Sequence, residues 1–443
     1  MSTTTRSLTD SAPTSASALL DAPASRLDRL GIPRPLALGF VGVLLTMTGV
    51  GVESNFVAPH MVAVLGSPAA TVATVITAAS LATLVGSYLS GALADLLGPR
   101  RVMTIGMVVW VVFELLFLGA LQVGSVPLTA VAYTLRGFGH PLFAFAFLVW
   151  VTITAPTERR GSAVGWFYVA FTGGLPTLGS LFALGTIPAL GGGAVGETGA
   201  MVASIGLVVA GWALAHFGVR LPSGSQRIAP AGESAWRVVT SGIRLTVTRP
   251  QVLMGFLVRL VNTAPEFGMF VVLPAVIADE RGWGQQRWLL MSVCVYATNI
   301  LVNALFGRVG DRIGWVRTVR WFGVVGSAVG LLAWWYVPQL VPAGSDWGYV
   351  AAVAAGCLFG CSLAGFVPMG AIMPALEPRH TGAAMAMYTT AAGGAAFLGT
   401  GVVAVVLALG GDGAAVTWTF VALYACAFVL VGRLRVPQHA TTH

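Results

Sequence analysis

The chain has 443 residues, of which 56% are hydrophobic and only 9% charged, far below the roughly 25% charged content of an ordinary soluble domain. Its mean hydropathy is +0.84, and its formal net charge of +8 rests on 24 basic residues, all of them Arg, against 16 acidic ones. That balance excludes a soluble domain, makes a nucleic-acid partner unnecessary to explain the charge, and points to a chain built into a lipid bilayer.

The first ~25 residues, rich in Ser, Thr, Ala and Pro, lack the basic start and apolar core of a signal peptide and read as part of a disordered cytoplasmic tail over 1–34. Twelve apolar runs follow, at 35–64, 70–97, 102–121, 127–151, 162–190, 200–217, 251–276, 286–305, 318–337, 347–372, 381–408 and 416–431. About 20 apolar residues suffice to cross a ~30 Å hydrocarbon core as a helix. The expected fold is therefore an all-α membrane protein of twelve transmembrane helices. A polar linker at 220–250 separates a six-helix bundle at 35–219 from a second at 251–436, with a short tail at 437–443. Within the linker, "WRVVTSGIRLTVTR" suits a basic amphipathic helix lying on the inner leaflet.

Placing both termini in the cytoplasm puts every loop or tail Arg inside except Arg281 and Arg287, the asymmetry expected of an N-in, C-in chain. Two further Arg residues, Arg136 and Arg259, fall within spans. Cys294, Cys357, Cys361 and Cys426 also lie in spans and read as small apolar packing residues. No spacing suits a metal, no loop cradles phosphate, and no catalytic constellation is present, so neither an enzyme nor a bound cofactor is expected.

The loops carry a repeat. "GALADLLGPRR" follows the second span and "GRVGDRIGWVR" the eighth, sharing Gly, three residues, Asp, two residues, Gly. A second pair, "APTERRGSAVG" and "ALEPRHTGAAM", follows spans four and ten at almost the same offset, so the two bundles are structural repeats. The first pair resembles the signature loop of the major facilitator superfamily. That resemblance implies a gating role for Gly91, Asp95, Gly98, Arg100 and Arg101 and for Gly307, Asp311, Arg312 and Gly314, with charge-assisted bonds between Asp and Arg as the expected latch. "GVESNFVAPHMV", "LRGFGHPLFAFAFLVWV" and "ERRGSAVGWFYVAFTGGLPTLGS" are similar to the polyol permease family within it, whose members include bacterial ribitol and arabinitol transporters. The implied protein is a monomeric secondary transporter of the bacterial cytoplasmic membrane, in contact with lipid and carrying a small polyol or sugar.

Buried charges locate the machinery. Glu53, Glu114, Glu266, Arg136 and Arg259 lie within spans, where each alone costs about 2.5–3.5 kcal/mol or more, so they are expected to pair inside the bundles. Proton-coupled sugar porters of the superfamily use a first-helix carboxylate and a fourth-helix Arg. The resemblance thus implies proton coupling through Glu53 and Arg136, with His140 one turn beyond on the same face. Glu114 is expected to brace a neighbour such as Arg136, and Arg259 either to reach the interface or to pair with Glu266. Asn262 and Glu266 in span seven, and Tyr296, Asn299 and Asn303 in span eight, form polar stripes suited to hydroxyl-rich solutes. Trp166 and Tyr168 offer aromatic faces, and Asn55, two residues past Glu53, is a further candidate solute contact. "TGGLPTLGS" departs from the span-five signature of many antiporters. Three readings stay open: proton symport of a polyol or sugar, proton-linked uptake of an organic anion clamped by Arg136 and Arg259, and drug/proton antiport.

Overall fold

A computed structural model describes residues 27, 30–54, 56–229, 232 and 234–436. Asn55 and most of the expected tails lie outside the described residues. All regular structure among the described residues is helical, and twelve helices are long and apolar enough to span a membrane. They are Arg34–Gly51, Thr74–Leu97, Pro99–Val123, Val126–Thr154, Thr157–Ala189, Gly193–Gly218, Pro250–Pro274, Leu290–Ile313, Trp315–Leu340, Asp346–Leu376, Pro378–Leu407 and Gly413–Gly432. Their outward faces carry exposed Leu81, Leu115, Leu184, Leu301 and Phe397, apolar side chains placed where lipid, not water, is the solvent. The protein is a multi-pass membrane protein.

Several spans are broken where the sequence weakens the helical ladder. The first consists of Ala37–Gly51 and Val57–Leu65, with a turn between them that holds Glu53. The fourth consists of Val126–Arg136 and Gly139–Thr154, so Arg136 ends its first segment. The fifth passes through a π-helical turn at Gly173–Leu178, where Pro176 has no N–H to donate and the ladder shifts by one residue. Gly51 packs so closely on the Leu175 backbone of that turn that no Cβ fits. Two boundaries differ most from expectation: span six begins at Gly193, so "GAVGETG" is helix and Glu197 lies inside the span, and span eight runs on to Ile313, taking Gly307 and Asp311 into the helix.

Small residues let the helices approach. A Cβ on Gly42 of span one would lie 2.6 Å from the Gly211 carbonyl of span six, and one on Gly49 2.7 Å from that of Ser204. This close backbone packing is how membrane helices associate where lipid removes the hydrophobic driving force. The two bundles join mainly through span five against span eight and span two against span eleven. Both contacts lie at the end that also carries the linker, hereafter the linker end.

There the linker helix Ala235–Thr248 caps the seam. Ser234 Oγ accepts from the Arg237 N–H at 3.4 Å, and Gly242 sits between Tyr88 of span two and the Ala383 carbonyl of span eleven. Trp236, Ile243 and Val247 remain exposed, as a helix partly sunk in a bilayer surface requires.

Candidate functional site

The breaks in spans one and four place Glu53 opposite Arg136. Arg136 closes a helical segment, where the carbonyl ends favour a cation, and Glu53 precedes the segment starting at Val57, where N–H groups favour an anion. The guanidinium grips the Glu53 carboxylate with two nitrogens, Nη1 donating to Oε2 at 2.7 Å and Nη2 to Oε1. Nη1 also donates to Glu114 Oε2 from span three. The Tyr133 hydroxyl donates to Glu53 Oε1 at 3.1 Å, and the guanidinium lies over the Tyr133 ring at 4.3 Å, with Trp110 and Phe117 nearby.

All three charged side chains are buried. The group is two carboxylates on one guanidinium. With both ionised it carries one excess negative charge in a medium that solvates charge poorly, and a single proton makes it neutral. His140 lies one turn past Arg136 and touches no carboxylate among the described residues. Because Arg136 holds both acids, Arg136→Ala is expected to cost about 3–5 kcal/mol and to yield little monodisperse protein by size-exclusion chromatography. Arg259→Ala, which strands no carboxylate, is expected to remain monodisperse.

Arg259 neither reaches the interface nor pairs with Glu266. Two helical turns, about 10 Å, separate the two along span seven, and Glu266 instead meets the Tyr296 hydroxyl. The Arg259 guanidinium is buried over the ring of Tyr388 of span eleven at 5.1 Å. The Tyr388 hydroxyl lies 2.6 Å from that of Tyr168 in span five, so this cluster joins the two bundles. Asn262, one turn from Arg259, is also buried, and its backbone carbonyl accepts from the Tyr424 hydroxyl at 3.0 Å.

Other expected solute contacts are occupied by the protein itself. Asn299 Nδ2 donates to the Gly360 carbonyl at 3.0 Å, and Asn303 Nδ2 to Asn299 Oδ1 at 3.2 Å: they tie span eight to span ten. Trp166 Nε1 donates to the Leu30 carbonyl at 2.8 Å at the linker end. Two residues turn a helix through about 200°, so Trp166 and Tyr168 cannot share a face.

The repeated loops meet across the seam, with a different partner from the one expected. Asp311 accepts from the N–H groups of Gly161 and Ser162 at 3.0 and 2.8 Å and from Ser162 Oγ at 2.6 Å, at the start of span five. Asp95, buried, lies against Gly382 at the start of span eleven. Each Asp therefore faces a helix N-terminus of the opposite bundle, a favourable place for an anion, and the second loop repeat supplies the receptor for the first. Gly98 and Gly314 turn the loops with φ of +83° and +106°, angles that Gly alone adopts without strain. Gly91 and Gly307 face the opposite bundle at close range. The Arg residues lie elsewhere: Arg100 donates to the Val219 carbonyl and covers Trp150 at 5.4 Å. Arg101 is exposed, and Arg312 lines an open cavity of about 730 Å³ with Glu158, Arg159 and Arg308.

Three participants escape the sequence reading. Tyr133 precedes Arg136 by three residues and so shares its face. Tyr388 sits in an apolar run with no charge to draw attention. Glu197 accepts from or donates to His60 Nδ1 across 2.6 Å and is hidden by the Gly-rich start of its span.

The sequence pattern described as Major Facilitator Superfamily matches residues 39–400. The alpha-ketoglutarate permease of Bacillus subtilis is 33% identical over 94% of this chain and 92% of its own length. The D-arabinitol transporter of Klebsiella pneumoniae is 32% identical over 94% and 95%, and the ribitol transporter of the same organism 33% identical over 93% and 94%. Among solved structures, a bacterial homologue of the iron transporter ferroportin in the outward-facing state superposes with a TM-score of 0.74 at 13% identity, covering 90% of this chain and 99% of that one.

Proposed function

The chain belongs to the major facilitator superfamily, so it is a membrane transporter and not an enzyme, and from that premise we propose that it is a proton-coupled symporter taking up a small hydroxylated solute of the polyol or sugar type. The observation that carries the coupling is the Glu53–Arg136–Glu114 group, whose excess carboxylate makes it a one-proton site. The relatives named for D-arabinitol and ribitol support the solute class. The proposed orientation, with linker and termini in the cytoplasm, follows from the distribution of Arg. The Asp95 and Asp311 contacts then close the cytoplasmic side, and alternating access requires them to part as the bundles rock.

The mechanism follows from charge balance. With the site protonated, the Arg136 grip on one carboxylate loosens and the broken segments of spans one and four are free to shift. Solute and proton together leave no uncompensated charge in the triad as the halves move. On the other side, release of the proton restores the full set of charge-assisted bonds. The protein would act as a monomer, since the path lies between its own bundles.

The test is proton entry into proteoliposomes, followed with an internal pH dye, as ribitol, D-arabinitol, xylitol, hexoses and their carboxylate derivatives are added one at a time. Internal acidification on addition of a hydroxylated solute is the expected result. Alkalinisation, or no response to any of them, overturns the symport reading.

A further inference from the structure

The two buried Arg residues are provided for unequally. Arg136 has two carboxylates. Arg259 forms no ion pair among the described residues, and its Nε and Nη1 are buried without an acceptor. Asn262, one turn along the same face, has a buried Oδ1 that receives no donor. The phenols of Tyr168 and Tyr388 lie against the guanidinium, and they come from opposite bundles.

A guanidinium that leaves water without an anionic partner is costly, and a chain selected only for stability would meet it with a carboxylate of its own. Two unmet N–H groups on different edges of the Arg259 guanidinium, an unmet amide oxygen one turn away and two phenols instead stand at the junction of the halves. Such a set matches a solute that brings a negative charge and acceptor oxygens to Arg259 and an adjacent hydroxyl to Asn262 Oδ1.

We propose that Arg259, Asn262, Tyr168 and Tyr388 form an anionic subsite, and that the transported solute is a hydroxylated carboxylate of the sugar-acid type, its carboxylate on Arg259 and its hydroxyl chain toward Asn262. This rests on the proposed uptake of a hydroxylated solute and specifies its charge. Arg136, committed to two acids, takes no part in holding it. Because Tyr168 belongs to the first bundle and the other three residues to the second, the bound carboxylate touches both moving bodies. A monoanion accompanied by one proton crosses without net charge, whereas a neutral polyol with one proton carries current.

The experiment compares D-ribonate with ribitol in two ways: binding to the detergent-solubilised full chain by thermal shift, and proton uptake with current recording in proteoliposomes. D-Ribonate is expected to bind at least about tenfold tighter than ribitol, because a site built for a charged group rejects the analogue lacking it. Its transport is expected to generate no current. In Arg259→Gln binding of D-ribonate is expected to weaken about tenfold or more and by a larger factor than any binding of ribitol, and Arg259→Lys is expected to keep part of the preference. Equal binding of the two solutes, or equal weakening of both in Arg259→Gln, overturns the subsite. If ribitol drives proton entry and D-ribonate does not, the subsite falls and symport stands. If D-ribonate binds through Arg259 but no solute moves protons, the subsite stands and symport falls.

Discussion

Glu53→Gln is expected to abolish proton-driven accumulation while leaving solute exchange across the membrane intact. The substitution removes the excess carboxylate, so Glu114 alone neutralises Arg136 and no proton is needed to balance the site. For a one-proton symporter, each unit of pH gradient sustains about a tenfold concentration ratio of a monoanion, or of a neutral solute once the membrane potential is clamped. That ratio should collapse to one in the variant, with counterflow of labelled solute retained. The same argument makes an unexpected demand on span three. Glu114→Gln leaves the two-nitrogen grip of Arg136 on Glu53 yet removes the same excess charge, so it too is expected to uncouple. Accumulation that survives in Glu114→Gln would show that Glu53 alone holds the proton; accumulation that survives in both variants would remove the triad from the mechanism.

The spans were legible because hydrocarbon imposes a length and a composition that few other environments share, but the breaks in spans one, four and five interrupt runs that read as continuous. The meeting of Glu53 with Arg136 was legible for a related reason: few charges lie in the spans, and each needs a partner. The contact of the repeated loops across the seam was only half legible. The repeat marks Asp95 and Asp311, but their partners are helix N-termini of the opposite bundle, whose backbone N–H groups every residue type but Pro carries and no side-chain pattern announces. Residue type also misleads where the protein uses a polar group itself. Asn299 and Trp166 have the chemistry of solute contacts, yet one bonds the Gly360 carbonyl and the other the Leu30 carbonyl. Arg259 is the converse: its position in span seven suggested a charge pair, and only the structure shows that its Nε and Nη1 are unmet.

Gly307→Val is expected to reduce transport to a few per cent of normal without unfolding the protein. A Cβ at Gly307 would lie 2.5 Å from the Gly161 carbonyl and 2.9 Å from Ser162 Cα, backbone atoms of the opposite bundle. The pseudo-symmetric pair behaves alike: a Cβ at Gly91 would lie 2.6 Å from both the Gly382 carbonyl and the Ala386 nitrogen. Neither clash involves a flexible side chain that can move aside, so the closed seam cannot form around a larger residue. The clash exists only while the halves are together at the linker end, and each bundle keeps its own packing when they part. Shifting such an equilibrium from 1:99 to 99:1 takes about 5.5 kcal/mol, within reach of two backbone collisions that also pull Asp311 from the Gly161 and Ser162 N–H groups. The variant should therefore dwell with its linker end open. Spin labels at positions 101 and 379, one on each bundle, would report the shift as a longer and broader distance than in the parent chain. An unchanged distance with transport lost would place the defect within a bundle, and normal transport would mean that this seam does not close during the cycle.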